Sequence, residues 1–425
     1  MDKIWETLTQ PVYIIIYIAV MFVIMIFVIV SVMLNERRFN KMTEQIREDD
    51  KKAKESEEER NQKVEPESRF GMLKEYDEEK KARSPKVFAD DVSLSELCEE
   101  FRIFSAGKLG LYYDISVIRE FIAGLAVSHI VILQGMSGTG KTSLAYAFGE
   151  FIENPSTIIP VQPMWKERTD LLGYYNEFTK HFNETLLLQK MYEANGQAEM
   201  YITILDELNI ARVEYYFAEF LSLLEIPNPE SRYLEVVNDK WKNDPEELKD
   251  GRIKLPENMW FIGTANNDDS TFAISDKVYD RAMVLNLDRK SEPFQASGSR
   301  TVPISARHFN ELVAAVLKEG DISSENLERL EKLDEYLIEK FQITFGNRIM
   351  RQIRAYLPVY VACGGTEIDA LDDILAKKVL RKLETQNAAY IRSEAEELCN
   401  CFESLFGEGQ MPRCREYVRR IARSV

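Results

Sequence analysis

A chain of 425 residues with 45% apolar content has enough material for two or three packed cores, which excludes a disordered protein. Its formal net charge of −17 disfavours broad binding to phosphate backbones. Five cysteines without a CxxC pair, beside only three histidines, argue against a disulfide framework and against structural zinc, and suit reduced thiols in a cytosolic catalytic part.

From Thr7 to Asn35 no residue is charged, and Pro11 to Leu34 is almost wholly Ile, Val, Met, Phe and Tyr. That run is long enough to cross a hydrocarbon layer of about 30 Å as a helix, so residues 1–35 are expected to form a single transmembrane anchor. A cleaved signal peptide fits less well, because its apolar region is about 7–15 residues long and ends in small residues, which Val32-Met33-Leu34 does not supply. Lys3 alone precedes the span whereas Arg37, Arg38, Lys41 and Arg47 follow it, which places the C-terminal bulk in the cytoplasm of a single-pass cell-membrane protein.

More than half of residues 36–83 are charged, with too few apolar side chains for a core, so this stretch reads as a linker or stalk. Phe39, Met42 and Ile46 have helical spacing, which leaves a short coiled coil open beside a solvated helix or disordered tether.

A nucleotide-binding α/β domain is expected over 84–298. Ser93-Leu94-Ser95-Glu96 has the form of a capping box, and Asp114 stands where it can cap a second helix whose apolar face is Ile115, Ile118, Phe121, Ile122 and Leu125. The apolar run Ile130-Val131-Ile132-Leu133 then leads into Gly135-Met136-Ser137-Gly138-Thr139-Gly140-Lys141-Thr142-Ser143, a complete GxxxxGK[ST] between a strand and a helix. Gly135, Gly138 and Gly140 let the backbone wrap an anion, with the N–H groups of Ser137, Thr139 and Ser143 among those available at a helix N-terminus. Lys141 reaches the β- and γ-phosphates, and the Thr142 hydroxyl can ligate Mg²⁺.

Ser156 to Val161 reads as a second strand. The following Trp165 to Asn176 segment is too polar for core and too aromatic for a plain loop, so it suits either partner contact or subunit packing. Tyr201-Ile202-Thr203-Ile204-Leu205-Asp206-Glu207 is an apolar strand ending in two acids. Asp206 can hold Mg²⁺ with Thr142, and Glu207 can activate the attacking water. Lys254 to Asn267 reads as another strand ending in polar amides, where Asn266 can touch the γ-phosphate or that water. Between the two strands, Tyr233 to Val237 suggests one arm of an inserted hairpin.

Three segments, Leu205 to Phe217, Trp165 to Asn176, and Ser275 to Ala282, together resemble the McrB-type branch of AAA+ NTPases, which neighbours the MoxR and dynein-related groups. The resemblance runs from about Asp114 to the C-terminus. It implies an AAA+ α/β domain, a parallel sheet flanked by helices, followed by an all-helical lid over 299–425. It also implies a homo-oligomeric ring, a hexamer, with the nucleotide held between neighbouring subunits. By motif position Asn266 matches sensor 1, Arg281 the arginine-finger region and Arg348 the sensor 2 start, aimed at the nucleotide phosphates. Arg212 and Glu214 would face a neighbour. Asn266-Asn267-Asp268-Asp269 departs from the sequence of the GTP-using restriction enzymes, which favours ATP, with GTP the alternative.

The lid reading rests on helical spacing at Leu312, Val316 and Leu317 and at Leu330, Leu333, Leu337 and Phe341. Residues 370–380 carry no recognisable chemistry at this level. No second catalytic cluster is legible, so a nuclease, where one acts, would be a partner subunit. These features point to a membrane-anchored ATPase that remodels or activates a partner protein, in a defence or restriction-like system by the branch resemblance. A nucleotide-controlled membrane scaffold and a MoxR-like chaperone are the alternatives.

Overall fold

The computed structural model describes residues 22, 23, 25, 26, 68–266, 271–288 and 291–423. The chain divides into two compact units, Met1–Glu67 and Ser68–Val425, and the second contains the sheet and the helical C-terminal region. Apart from Phe22, Val23, Met25 and Ile26, the expected transmembrane span lies outside the described residues, as do residues 36–67 of the stalk and Asn267, Asp268 and Asp269. Among the described residues no helix is long and apolar enough to cross a membrane.

The folded body begins at Ser68 rather than at 84. Helix α1 (Met72–Ala82) is anchored by Phe70 and Leu73, both essentially inaccessible, at roughly 1.5–3 kcal/mol for each fully buried side chain. Arg69 pairs with Asp239 at 2.6 Å and Asp244 at 2.9 Å and lies 4.6 Å from the Trp241 ring. The Glu184 carboxylate accepts from the N–H groups of Gly71, Met72 and Leu73, meeting three orphan donors and the positive end of the helix dipole. The charge content of 68–83 suggested a tether because its partners lie more than a hundred residues away.

Next come α2 (Leu94–Leu109), with both arms of the Ser93/Glu96 capping box formed, and α3 (Ile115–Val127), where Asp114 occupies the N-cap position but makes no side-chain cap bond. The central sheet contains β1 (Ile130–Gly135), β2 (Thr157–Pro160), β5 (Tyr201–Asp206), β8 (Met259–Asn266) and β9 (Met283–Asn286) in the order β2-β5-β8-β1-β9, all parallel. Helix α4 (Lys141–Phe151) follows β1. Near-continuous Ile, Val and Leu in β1 and β5 reflect burial on both faces. Val131 and Leu133 enter one hydrophobic cluster and Ile130 and Ile132 the other, as strand alternation requires.

Two hairpins decorate this sheet. The first, β3 (Gly173–Asn176) with β4 (His181–Glu184), lies between α5 (Thr169–Leu172) and α6 (Leu186–Asn195). The second, β6 (Tyr233–Glu235) with β7 (Arg252–Lys254), confirms the expected insertion. Trp165 packs edge-on against Tyr216 of its own chain at 5.6 Å, while Tyr174 and, in the first hairpin turn, Phe178 are exposed.

Short helices α7 (Val213–Tyr216), α8 (Ala218–Leu224) and α9 (Asp276–Tyr279) flank the sheet, and the C-terminal part is helical as expected. It comprises α10 (Ala306–Glu319), α11 (Ser324–Phe341), α12 (Gly346–Ala362), α13 (Glu367–Ile374), α14 (Ala388–Phe406) and α15 (Pro412–Arg423). Its buried Phe309, Ile349, Leu371 and Phe402 belong to the same cluster as Val131 and Leu133, so lid and sheet share one core.

Candidate functional site

The loop between β1 and α4 needs its glycines for distinct reasons. At Gly135, φ is +147° and a Cβ would stand 2.4 Å from the Leu287 carbonyl oxygen. At Gly140, φ is +93°, and the Tyr113 hydroxyl donates to its carbonyl at 3.2 Å, bracing the loop from the segment that precedes β1. Burial pushes the Tyr113 phenol up, so it stays a donor. Lys141 is 7% exposed, and its ammonium donates to the carbonyls of Gly135 at 3.0 Å and Met136 at 2.7 Å. Thr139 closes the turn onto Met136 at 2.9 Å, while Met136, Ser137 and Gly138 are exposed. The result is an open rim of backbone N–H groups at the start of an 11-residue helix, with one cation beneath it.

Parallel register carries the acids to the same edge. Leu205 pairs with Gly263, and Gly135 with Asn266, so Asp206, Asn266 and the loop end at one sheet edge. Thr142 Oγ1 donates to Asp206 Oδ1 at 2.8 Å, and buried Thr264 donates to the same oxygen at 2.8 Å. Glu207 takes a left-handed backbone, φ +54° and ψ +47°, unusual for a residue with a Cβ. Its N–H donates to Thr264 Oγ1 at 2.9 Å, which holds that geometry. The Glu207 side chain is exposed at this edge. Asn209 donates to the Asn266 carbonyl at 3.0 Å and so fixes the strand end.

A hydroxyl and a carboxylate held together are hard oxygen donors of the kind Mg²⁺ takes, usually alongside substrate phosphates and water. Thr142 and Asp206 fit that group, and the loop with Lys141 fits a triphosphate.

The two arginines lie elsewhere. Ser128, just ahead of β1, donates to the Arg281 carbonyl at 2.8 Å, which places Arg281 at the amino end of β1, opposite Gly135. The intervening strand spans about 20 Å at roughly 3.3 Å per residue. Arg281 donates to the Lys277 carbonyl at 2.6 Å and to Glu225 at 2.7 Å. Arg348 pairs with the other oxygen of Glu225 and reaches Asp280 at 3.7 Å. Both line a recess with Ser128, His129 and Arg232. Arg348 is thus not aimed at the phosphate loop of its own chain, because α12 packs against α3 and α10 and delivers its first turn to Glu225. Arg281 does not pair with Asp276 or Asp280 either: Arg381 holds Asp276, and Arg348 faces Asp280. Arg212 is exposed and lies 5.1 Å from the Phe272 ring, and Glu214 is half-buried.

Residues 130–282 match the family model described as AAA domain (dynein-related subfamily). The α/β body is an AAA+ domain. The match begins at β1 and ends one residue past Arg281, so it encloses the phosphate loop, both acids and Asn266. Residues 302–425 match a model described as Domain of unknown function (DUF8727). No curated protein matches the chain. Among solved structures, one described as a "putative ATPase" from Cytophaga hutchinsonii ATCC 33406 is 14% identical with a TM-score of 0.44, covering 73% of this chain and 92% of that one. A full-length MCM homolog from Methanopyrus kandleri is 14% identical with a TM-score of 0.38, covering 68% of this chain and 61% of that one.

Beside the phosphate loop of the AAA+ domain, a cavity of about 340 Å³ opens between the sheet and the lid, lined by Tyr112, Asp114, Thr139, Asp288, Ser291 and Tyr417 among others. Its floor is ionic. Glu120 meets Lys377 at 2.7 Å and Arg413 at 2.5 Å, and Asp373 meets Arg413 and accepts from Tyr356 at 2.7 Å. Burial, with the Asp373 charge beside it, pushes the Glu120 carboxyl up. Sequence reasoning missed Thr264, Tyr113 and this network. The available signals were a hydroxyl inside the apolar run of β8 and two adjacent lysines in the apolar stretch from Ile374 to Leu380.

Proposed function

We propose that this protein is a membrane-anchored AAA+ ATPase of the McrB-type branch, working as a homo-oligomeric ring that spends ATP hydrolysis on remodelling or activating a partner protein. The observation that carries this reading is the separation along β1: phosphate loop and acids at one end, Arg281 and Arg348 at the other. Neither Arg281 nor Arg348 of a subunit so built reaches a γ-phosphate on its own loop, and a neighbour in a ring can present them there.

Lys141 and the loop N–H groups bind the triphosphate, and Asp206 with Thr142 holds Mg²⁺, which when bound neutralises charge on the phosphates. Glu207 orients the attacking water and takes its proton, with Asn266 beside it. Arg281, with Arg348 next to it, leaves Glu225 for the neighbour's phosphates and stabilises the charge that develops on the transferred group. The apolar run from Pro11 to Leu34 supports the anchor and, with the basic flank after it, a cytoplasmic ATPase. The acidic body disfavours direct nucleic-acid binding, so the partner is a protein, a nuclease subunit in a restriction-like system being one such. ATP is favoured over GTP by the Asn266 to Asp269 sequence.

Arg281→Ala should lower hydrolysis by about 10³–10⁵ while nucleotide binding persists. Mixed with Glu207→Gln chains it should regain activity, since one interface then has an intact finger and an intact base. Co-assembled mixtures as inactive as either variant alone would overturn the trans assignment. Competition binding of ATP against GTP checks the nucleotide, and preference for GTP would reverse it.

A further inference from the structure

Lid helix α13 ends at Ile374 and the chain continues as a π-helical turn over Leu375–Val379, an uncommon geometry often found at functional sites. This turn sends two successive lysines, both at least nine-tenths buried, to different destinations. Lys377 joins Glu120 and Asp373 at the floor of the cavity beside the phosphate loop. Lys378 runs to the opposite end of the sheet, where its ammonium donates to the carbonyls of Tyr279, at 2.6 Å, and of Ala282. Arg281 stands between those two residues.

We propose that Lys378 is a positioning residue for Arg281, holding the main chain on both sides of it so that the guanidinium is presented in the geometry the neighbouring site requires. This rests on the trans role of Arg281 proposed above. A buried lysine donating to two carbonyls of one short segment constrains that segment as a clamp does, since a buried carbonyl left unpaired is unfavourable. Other lid groups grip the same stretch. Gln352 donates to the Asp280 carbonyl at 3.1 Å, Arg348 faces the Asp280 carboxylate, and Arg381 pairs with Asp276 and lies 4.0 Å from the Tyr279 ring. Lys378 alone of these brackets Arg281. Because Lys377 and Lys378 are carried by one turn, movement of the lid over the nucleotide cavity is transmitted to the finger that serves the next subunit.

The charge of Lys378 is finely held. Burial pushes its pKa down to about 7, with Asp280 opposing that shift and Arg381 and Arg348 reinforcing it. Purely apolar packing would be served better by a leucine, as a desolvated ammonium needs its partners.

The test is kinetic and uses the full-length protein. Misplacement of a catalytic group by about 1 Å can cost about 10²-fold, so Lys378→Met should lower kcat by about 10–100-fold while KM and ATP affinity stay within about twofold. Co-assembled with Glu207→Gln chains it should recover, because the partner supplies an intact finger to its intact base. Co-assembled with Arg281→Ala chains it should not, because neither chain then presents a good finger. Unchanged kcat, a loss carried in ATP affinity, or no recovery with Glu207→Gln when Arg281→Ala does recover with it would each overturn the proposal. If neither variant recovers with Glu207→Gln, the trans reading fails first and the proposal with it. Lys378→Gln, which keeps two N–H donors, is measured in parallel. Failure of both Lys378 variants to fold would assign the residue to stability instead and equally overturn a positioning role.

Discussion

At the carboxyl edge of the sheet, the groups we assign to the phosphates and Mg²⁺ are tied to others in the same chain: Lys141 to loop carbonyls, Thr142 and Thr264 to Asp206, with the Glu207 amide tied to Thr264. At the amino end of β1 two arginines share one carboxylate, Glu225, which is 36% exposed, as is much of Arg348 at 37%. The first arrangement is preorganised, and catalytic groups fixed before reaction cost no reorganisation during it. The second is a weakly held resting position, since exposed ion pairs contribute only about 0–1 kcal/mol each. In the proposed ring, the binding end would stay fixed while the arginine end exchanges partners.

The sharpest way to break the rigid end is Lys141→Ala. Loss of a charge-assisted phosphate contact should weaken ATP binding by about 2–3 kcal/mol, roughly 30–150-fold, with the fold retained. Equilibrium binding with a fluorescent ATP analogue checks this, and unchanged affinity would remove the phosphate-loop assignment.

Next in size is the pH response of Lys378, which belongs to the arginine end. Its pKa is pushed down to about 7 in the folded chain, against about 10.4 for an unfolded lysine. Below pH 7 both states hold the proton. Between about 7 and 10 the unfolded chain holds it and the folded chain does not, so this group's contribution makes stability rise with pH. From pH 6 to 9 the wild-type unfolding free energy should gain about 2.5 kcal/mol relative to Lys378→Met in parallel denaturant titrations. A pH-independent difference would show that the buried lysine does not titrate there.

The smallest effect tests the resting position. Glu225→Gln removes the anion that competes with the neighbour's phosphates, so basal hydrolysis should rise by up to about fivefold, the equivalent of about 1 kcal/mol. A large fall would mean that Glu225 orients the arginines for catalysis.

The phosphate loop, both acids and Asn266 were legible because each is set by local order: an apolar strand, then a polar residue at its carboxyl end. Parallel pairing brings such ends to one edge whatever the rest of the chain does. Arg348 was legible as a helix-opening arginine but not in its destination, which depends on how α12 packs against α3 and α10. Likewise the charged stretch 68–83 looked like tether until Asp239, Asp244 and Glu184 came round to meet it.

By itself, then, the sequence determined the strands that carry the phosphate loop, the two acids and Asn266, and the helical C-terminal region, since periodicity and motif spacing act over a few residues. Only the tertiary structure decided that Thr264 braces Glu207, that the arginines meet on Glu225, and that a π-helical turn parts Lys377 from Lys378. The pairings involved join residues between 56 and 257 positions apart, and no local rule ranks such pairings before the core has closed around them.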